Sequence, residues 1–329
     1  MKFKLGIKNR ISKLNTEMKN KTVFSRILII VLALSTTLFS CQNEATVATA
    51  NEKLTIVTTT GMIADAVLNI VGDQVNVISL MGPGVDPHLY KVTQSNIKKL
   101  LNADIIFYNG LHLEGKMGEV LGQMGECKPV IAICDGLTKK QLRATSEFEG
   151  NYDPHIWFSV KVWTDVVRFI GESLTEIDSI HASAYQDNTT KHVQELTSLH
   201  DWTNEQVNTI PENQRVLITA HDAFGYFGRE YGMEVKGLQG LSTAAEYGLK
   251  DVVTMVNFIA ENKIKAVFVE SSVSDRSIKA VLEGCKDKGH ELVIGGTLFS
   301  DAMGAENTLE GTYIGMVKYN VSTIVDALR

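Results

Sequence analysis

The stretch SIHASAYQDNTTKHVQELTSLHDWTNEQVNTI, residues 179–210, determines how the rest of the chain is organised. Apolar or small residues recur along it at intervals of three and four, which puts one narrow stripe on one helix face. The stripe consists of Ala182, Tyr185, Thr189, Val193, Leu196, Leu199, Thr203, Val207 and Ile210. Asp178 is placed to cap the start of this helix and Pro211 to end it. At ~1.5 Å per residue the helix is a rod of ~45 Å. A rod of that length usually runs between two lobes, although a helix lying along one large domain has the same periodicity.

Short β-rich segments alternate with helical patterns on both sides of the rod. Before it we predict strands at Leu54–Thr59, Val75–Leu80, Ile105–Tyr108 and Val130–Cys134. After it we predict strands at Val216–Thr219, Met233–Leu238, Ala266–Val269 and Leu292–Ile294. Alternation of this kind gives parallel sheets with helices on both faces. We therefore predict an α/β fold of two (βα)4-type lobes with parallel sheets joined by a single long rigid helix. The N-terminal lobe takes residues 54–178, the connecting helix 179–210 and the C-terminal lobe 211–329.

The first 41 residues are typical of an export signal. Eight Lys and Arg residues precede the apolar run ILIIVLALSTTLF, residues 27–39, which is too short for a comfortable membrane span. Leu38-Phe39-Ser40-Cys41 resembles the site at which bacterial lipoproteins are cleaved and acylated on cysteine. We predict a signal peptide over residues 1–40, lipid on Cys41, a tether over 41–53 and a lipid-anchored location in the cell envelope, outside the cytoplasm. An ordinary cleaved signal and a short membrane anchor are the alternatives. The basic region is longer than a signal peptide needs, and Met18 would make a more typical start of translation.

The chain without residues 1–40 is strongly acidic, with 24 Lys and Arg against 37 Asp and Glu and a formal charge of −13. Such a charge argues against a nucleic-acid partner. It is compatible with attracting cations, although solubility alone also explains it.

Four side chains that can ligate a metal follow predicted strands or lie in neighbouring loops. His88 and His155 each end an Asp-Pro-His tripeptide, at residues 86–88 and 153–155. His221 comes directly after the strand Val216–Thr219, and Asp301 follows the strand Leu292–Ile294. Ligands of open α/β sheets sit beyond the carboxyl ends of the strands, so we expect these four side chains to converge. Three imidazoles and one carboxylate suit zinc or a similar transition metal better than magnesium or calcium, which prefer oxygen.

Several motifs resemble those of the metal-binding solute-binding lipoproteins of ABC importers, the cluster A-I or ZnuA/TroA-type receptors for zinc and manganese. The matching stretches are GVDPHLY (84–90), NGLHLEGKM (109–117), DPHIW (153–157), LITAHDAFGYFGREYG (217–232), LQGLSTAAE (238–246), VFVESSV (267–273) and GGTLFSDAMG (295–304). They cover nearly all of the chain after the signal, in the order of the family. The resemblance implies two βα lobes joined by one rigid helix, a single metal between them and delivery to a membrane permease.

Carried over by position, the resemblance implies His88 and His155 as ligands from the N-terminal lobe and His221 and Asp301 from the C-terminal lobe. Many manganese and iron receptors of the family have Glu where this chain has His221, which favours Zn2+. The His-rich acidic loop of many zinc receptors is absent, so Mn2+ stays the alternative. Glu270 ends the strand AVFVE at the same rim, and we expect it behind the ligands rather than on the metal.

We therefore predict an extracytoplasmic, monomeric receptor that captures one divalent metal ion and hands it to an ABC transporter permease. The first alternative is a zinc hydrolase, but four protein ligands leave no position for an activated water, so we expect no enzyme. The second alternative is a surface adhesin, whose binding would not depend on His88.

Two further features receive structural interpretations. His181, His192 and His200 lie on the rod, where we expect them on its solvent-exposed face. Thr243 and Glu246 have the spacing of a capping box at the start of a helix.

Overall fold

The computed structural model describes residues 53–145 and 151–329. The predicted signal peptide, Cys41 and nearly all of the predicted tether lie outside the described residues. Within the described part, no helix combines the length and the apolar character needed to cross a membrane.

The first half of the described chain is built on one sheet of four parallel strands. The strands are β1 (Thr55–Thr58), β2 (Asn76–Ser79), β3 (Ile105–Tyr108) and β4 (Val130–Ala132), in the spatial order β2-β1-β3-β4. In this register Ile56 lies opposite Val77 on one side and Ile105 on the other. The α-helices between these strands are α1 (Gly61–Val71), α2 (Gln94–Asn102) and α3 (Gly118–Met124). The predicted strand Val130–Cys134 is too long, because the chain leaves the sheet after Ala132 and turns through a 3-10 helix over Ile133–Gly136.

The second half contains two pairs of parallel strands. The strands β5 (Val216–His221) and β6 (Glu234–Gln239) form one pair, and β7 (Ala266–Glu270) and β8 (Val293–Leu298) form the other. The α-helices of this half are α6 (Gly225–Tyr231), α7 (Leu249–Asn262), α8 (Arg276–Asp287) and α9 (Tyr313–Leu328). All four strands end later than predicted, and the extension is longest in β5, which includes His221, and in β8, which continues to Leu298. The α/β fold with parallel sheets is confirmed.

The helices α4 (Val160–Ile177) and α5 (Ala182–Val207) join the two halves, and α5 is the rod. Its buried residues include Tyr185, Leu196, Leu199 and Val207 from the predicted stripe. Asp178 is not the N-cap of α5, because the helix begins at Ala182 and its N-cap is His181. The Asp178 carboxylate instead accepts a hydrogen bond from the Tyr185 hydroxyl at 2.7 Å and lies 2.7 Å from His181 Nδ1.

One expectation for the rod is wrong. His192 is buried rather than solvent-exposed, because helices from both halves pack along this side of α5. Its Nδ1 lies 3.1 Å from a carboxylate oxygen of Glu195. His181 and His200 are partly exposed.

The largest buried apolar cluster contains side chains from both halves and from the two joining helices. It includes Ile56 of β1, Trp163 of α4, Leu196 of α5 and Phe268 of β7. Two smaller clusters lie within one half each, around Ile106 of β3 and around Val267 of β7. The shared cluster fixes the strand ends of one half relative to those of the other, and these ends carry the site.

Candidate metal centre

The four predicted ligands lie together between the ends of the two sets of strands. One ligand atom from each of His88, His155, His221 and Asp301 lies within 4.8 Å of the other three. His88 is in the loop after β2, and His155 directly precedes the 3-10 turn Ile156–Phe158. His221 is the last residue of β5, and Asp301 lies three residues beyond β8. Each half of the chain therefore contributes two donors.

Three of the separations between donor atoms are close to the edge length of a tetrahedron around one metal ion. Nε2 of His88 lies 3.2 Å from Nε2 of His155, which lies 3.5 Å from Oδ1 of Asp301. Nε2 of His221 lies 3.4 Å from Oδ2 of Asp301. Tetrahedral zinc with bonds of ~2.0–2.1 Å to nitrogen has donor atoms ~3.3 Å apart. The arrangement is therefore the right size for one transition-metal ion.

Several of these donor atoms are buried and have no hydrogen-bond partner. His155, His221 and Asp301 are at most 2% exposed, whereas His88 is partly exposed. Nε2 of His221 and both carboxylate oxygens of Asp301 are buried without a hydrogen-bond partner. Buried polar atoms are almost always paired, because an unpaired one loses its hydration without compensation. A cation at the centre would satisfy all three.

The pKa values of these residues reflect the same crowding. Burial, with help from the neighbouring imidazoles of His155 and His221, lowers the pKa of His88 to about 3. Burial opposes ionisation of Asp301, but the adjacent imidazoles, His221 first, hold the pKa of its carboxyl below the usual range. Burial likewise opposes a charged His221, yet Asp301 and Glu270 raise its pKa well above the usual value. The centre thus has a carboxylate that stays ionised to receive a cation.

Two of the imidazoles have a carboxylate next to Nδ1, the ring nitrogen that does not face the other candidate ligands. Oδ1 of Asp153 lies 2.7 Å from Nδ1 of His155 and also accepts a hydrogen bond from the His155 amide. Oε2 of Glu270 lies 2.5 Å from Nδ1 of His221, and its Oε1 accepts from the His221 amide at 2.9 Å. Glu270 therefore lies at the end of β7, next to the candidate ligand His221. Contacts of this kind fix the orientation of an imidazole and direct its Nε2 at the metal.

Several residues that support the centre were missed at the sequence level. Arg143 bridges Asp153, at 2.7 Å, and Asp222, at 3.3 Å, so that one guanidinium contacts residues near a ligand in each half. Trp157 Nε1 donates to the carbonyl of Ser300, the residue before Asp301, at 2.9 Å. The repeated Asp-Pro-His tripeptide was a usable signal for Asp153, whereas Arg143 and Trp157 carry no local pattern. His112 is exposed and is not part of the cluster.

The family of this chain follows from its similarity to known proteins. Residues 56–327 match the family described as zinc-uptake complex component A, periplasmic. The chain belongs to this family. The match spans all three sheets of the described residues, the rod and the four candidate ligands, so the family covers nearly the whole described fold rather than one part of it.

Individual members of the family are similar along most of their length. The manganese-binding lipoprotein MntA of Bacillus subtilis is 49% identical over 299 residues, 91% of this chain and 97% of the relative. The zinc-binding protein TroA of Treponema pallidum is 46% identical over 281 residues, 85% of this chain and 91% of the relative. The solved structure of that zinc-binding protein superposes with a TM-score of 0.82 at 45% identity, covering 84% of this chain and 99% of the solved one. Relatives of nearly equal identity thus carry the names of different metals.

Proposed function

We propose that this chain is an extracytoplasmic substrate-binding lipoprotein that captures one divalent transition-metal ion and delivers it to an ABC import permease. The observation that carries the proposal is the convergence of three imidazoles and one carboxylate, two donors from each half, with buried donor atoms lacking other partners. The ligands are His88, His155, His221 and Asp301, and Glu270 orients His221. Family membership and the names of the relatives support transport rather than catalysis. Four protein donors also leave no open position for an activated water.

Zinc is the ion that the donor set favours. Three donor separations of 3.2–3.5 Å are close to those of tetrahedral coordination, and nitrogen donors bind zinc more tightly than manganese in the usual order of affinities. Manganese is the alternative cargo, supported by the name of the Bacillus subtilis relative. A competition experiment between Zn2+ and Mn2+ measures which ion this protein binds more tightly. It is needed because relatives in the same family carry the names of different metals.

The rest of the organisation follows from this function. Residues 54–178 and 211–329 act as two lobes that each supply two ligands, and residues 179–210 hold them at a set distance. Lipid on Cys41 keeps the receptor at the membrane, as a monomer beside its permease. Replacing Cys41 by Ser would move the protein from the membrane fraction to the soluble fraction, and continued recovery in the membrane would contradict the anchor.

Metal binding is tested by titrating the purified mature protein with Zn2+ and Mn2+ in a calorimeter. We expect one site per chain, tighter binding of zinc, and loss of that site in His155→Ala and His221→Ala. His112→Asn is the matched control, because His112 lies outside the cluster and Asn tolerates its positive φ of 64°. Wild-type protein that binds neither ion, or His155→Ala protein that binds as well as the control, would overturn the assignment.

Delivery is tested in cells from which the gene has been deleted. Wild-type protein should restore uptake of radioactive zinc at submicromolar concentration, and His155→Ala protein at equal abundance should not. If the variant restored uptake as well as wild-type protein, transport would not depend on metal binding at this centre.

A further inference from the structure

The segment between β6 and α7, residues 241–247, crosses to the other half of the protein; we refer to it as the strap. The predicted capping box at Thr243 and Glu246 is wrong: α7 begins later, with Gly248 as N-cap and the Asp251 side chain accepting its amide. The Thr243 hydroxyl donates instead to Oδ2 of Asp86, in the first half, at 2.6 Å. A side chain with the sequence signature of a helix cap is therefore used in a long-range contact.

Asp86 connects this contact to the metal centre. Its second oxygen, Oδ1, accepts a hydrogen bond from the backbone amide of His88 at 2.8 Å. One carboxylate thus holds the backbone of a ligand with one oxygen and the strap with the other. Displacing the strap removes one of the restraints on the loop that carries His88.

The contact lies on the side of the centre that faces solvent. His88 is the partly exposed member of the four, while the other three are nearly inaccessible. The partial exposure of His88 places its loop between the centre and solvent, which makes this loop the candidate route for an ion that exchanges with solvent.

The ends of the strap are held in its own half, because Leu241 is buried and Tyr247 packs against the cluster around Val267. Ala244 and Glu246 are exposed, and Gln239 of β6 supports the strap from its own half by donating to the Ala245 carbonyl at 3.0 Å. Among the hydrogen bonds of the described residues, the one between Thr243 and Asp86 is the link from the strap to the first half. Losing this hydroxyl should free the strap without disturbing the shared core.

We propose that Thr243 is a positioning residue that closes the solvent side of the centre through Asp86 and slows dissociation of the bound ion. The inference rests on the proposed function. It assigns Thr243 no contact with the metal: the hydroxyl acts through Asp86 on the loop of His88, and it changes the rate of exchange rather than the set of ligands.

The experiment measures zinc dissociation from the mature protein by stopped-flow mixing with excess chelator. Thr243→Val keeps the side-chain volume and removes the hydroxyl, and we expect dissociation to become about tenfold faster, as for loss of a hydrogen bond to a charged acceptor. Thr243→Ser retains the hydroxyl and should stay within about twofold of wild type. Thr254→Val is the matched control, because Thr254 is an exposed residue of α7 that bonds only to its own helix at Lys250.

Three further readouts separate positioning from general destabilisation. The unfolding free energy of the metal-free Thr243→Val protein and the absorption spectrum of its cobalt(II) form should match those of wild type. Amide hydrogen exchange in residues 241–247 of the zinc-bound protein should become faster. Equal dissociation rates for wild type and Thr243→Val, or a Ser variant as fast as Val, would overturn the inference. Failure of wild-type protein to bind either Zn2+ or Mn2+ would instead refute the proposed function.

Discussion

Oδ1 of Asp153 lies 2.7 Å from Nδ1 of His155, and the same oxygen accepts a hydrogen bond from the backbone amide of His155. An ionised carboxylate can only accept, so Nδ1 carries the proton and Nε2 keeps its lone pair for a metal. The carboxylate is fully buried, and its second oxygen contacts the Arg143 guanidinium at 2.7 Å. Asp153 therefore contacts both the imidazole of His155 and the guanidinium of Arg143, which in turn contacts Asp222 in the other half.

The first prediction concerns Asp153→Asn. The amide cannot stabilise the protonated Nδ1 as a carboxylate does, and we expect zinc affinity to fall roughly 10–100-fold. Competition with a chromogenic chelator measures the change. Asp187→Asn serves as control, since Asp187 is exposed on α5 and is not part of the cluster of candidate ligands. Equal affinities of the two variants would show that Asp153 does not orient the ligand.

The second prediction concerns Arg143, whose guanidinium lies between Asp153 and Asp222. Arg143→Gln leaves the fully buried Asp153 carboxylate without its cation, and we expect the metal-free protein to lose about 2 kcal/mol of unfolding free energy. Urea denaturation measures this loss.

The control for Arg143 is Arg168→Gln. Arg168 pairs with Asp165 on the exposed face of α4, and such pairs contribute roughly 0–1 kcal/mol. A loss no larger in Arg143→Gln than in Arg168→Gln would mean that water compensates Asp153 as well as the guanidinium does.

The sequence was sufficient to predict where the ligands meet. Parallel strands of an open sheet end at one edge, so side chains after those ends gather there whatever their distance along the chain. The long rod was equally visible, because its apolar stripe has helical period over many turns. The strand boundaries did not follow from the pattern: Thr219 and His221 are polar yet buried within β5, so a polar residue does not mark the end of this strand.

The contacts around the ligands could not be predicted in the same way. Thr243 has the spacing of a helix cap, and only the position of Asp86 in space decides that it bonds elsewhere. Arg143 lies in a segment with no periodic pattern, and its role depends on two acidic residues 10 and 79 positions away. His192 is polar and lies beside the predicted stripe, so local pattern favoured the exposed face. Long-range packing decides all three.

The third prediction concerns the close approach of α4 and α5. A Cβ added to Gly171 of α4 would overlap the side chain of Thr189 on α5. We expect Gly171→Ala to cost about 1–3 kcal/mol of unfolding free energy, because the two helices must separate, although alanine favours a helix. Thr189→Ala in the same protein should restore part of the loss. Additive effects of the two substitutions, measured by urea denaturation, would show that the helices do not meet there.

The last prediction is a pH dependence that begins at Asp178. Burial opposes ionisation of this carboxyl, but its interactions with His181 and Tyr185 outweigh burial and lower its pKa. A carboxyl with a folded-state pKa below its unfolded value stabilises the fold above the unfolded pKa, and that contribution disappears as the pH falls through the folded pKa. The unfolded value is about 3.9, so the metal-free wild type should exceed Asp178→Asn in unfolding free energy at pH 5, and the difference should shrink below about pH 4. Asp187→Asn, at an exposed position of the rod, should show no such trend. Urea denaturation across this range measures the difference, and a gap between wild type and Asp178→Asn that stays the same down to pH 3 would mean that the Asp178 carboxylate does not anchor the start of the rod.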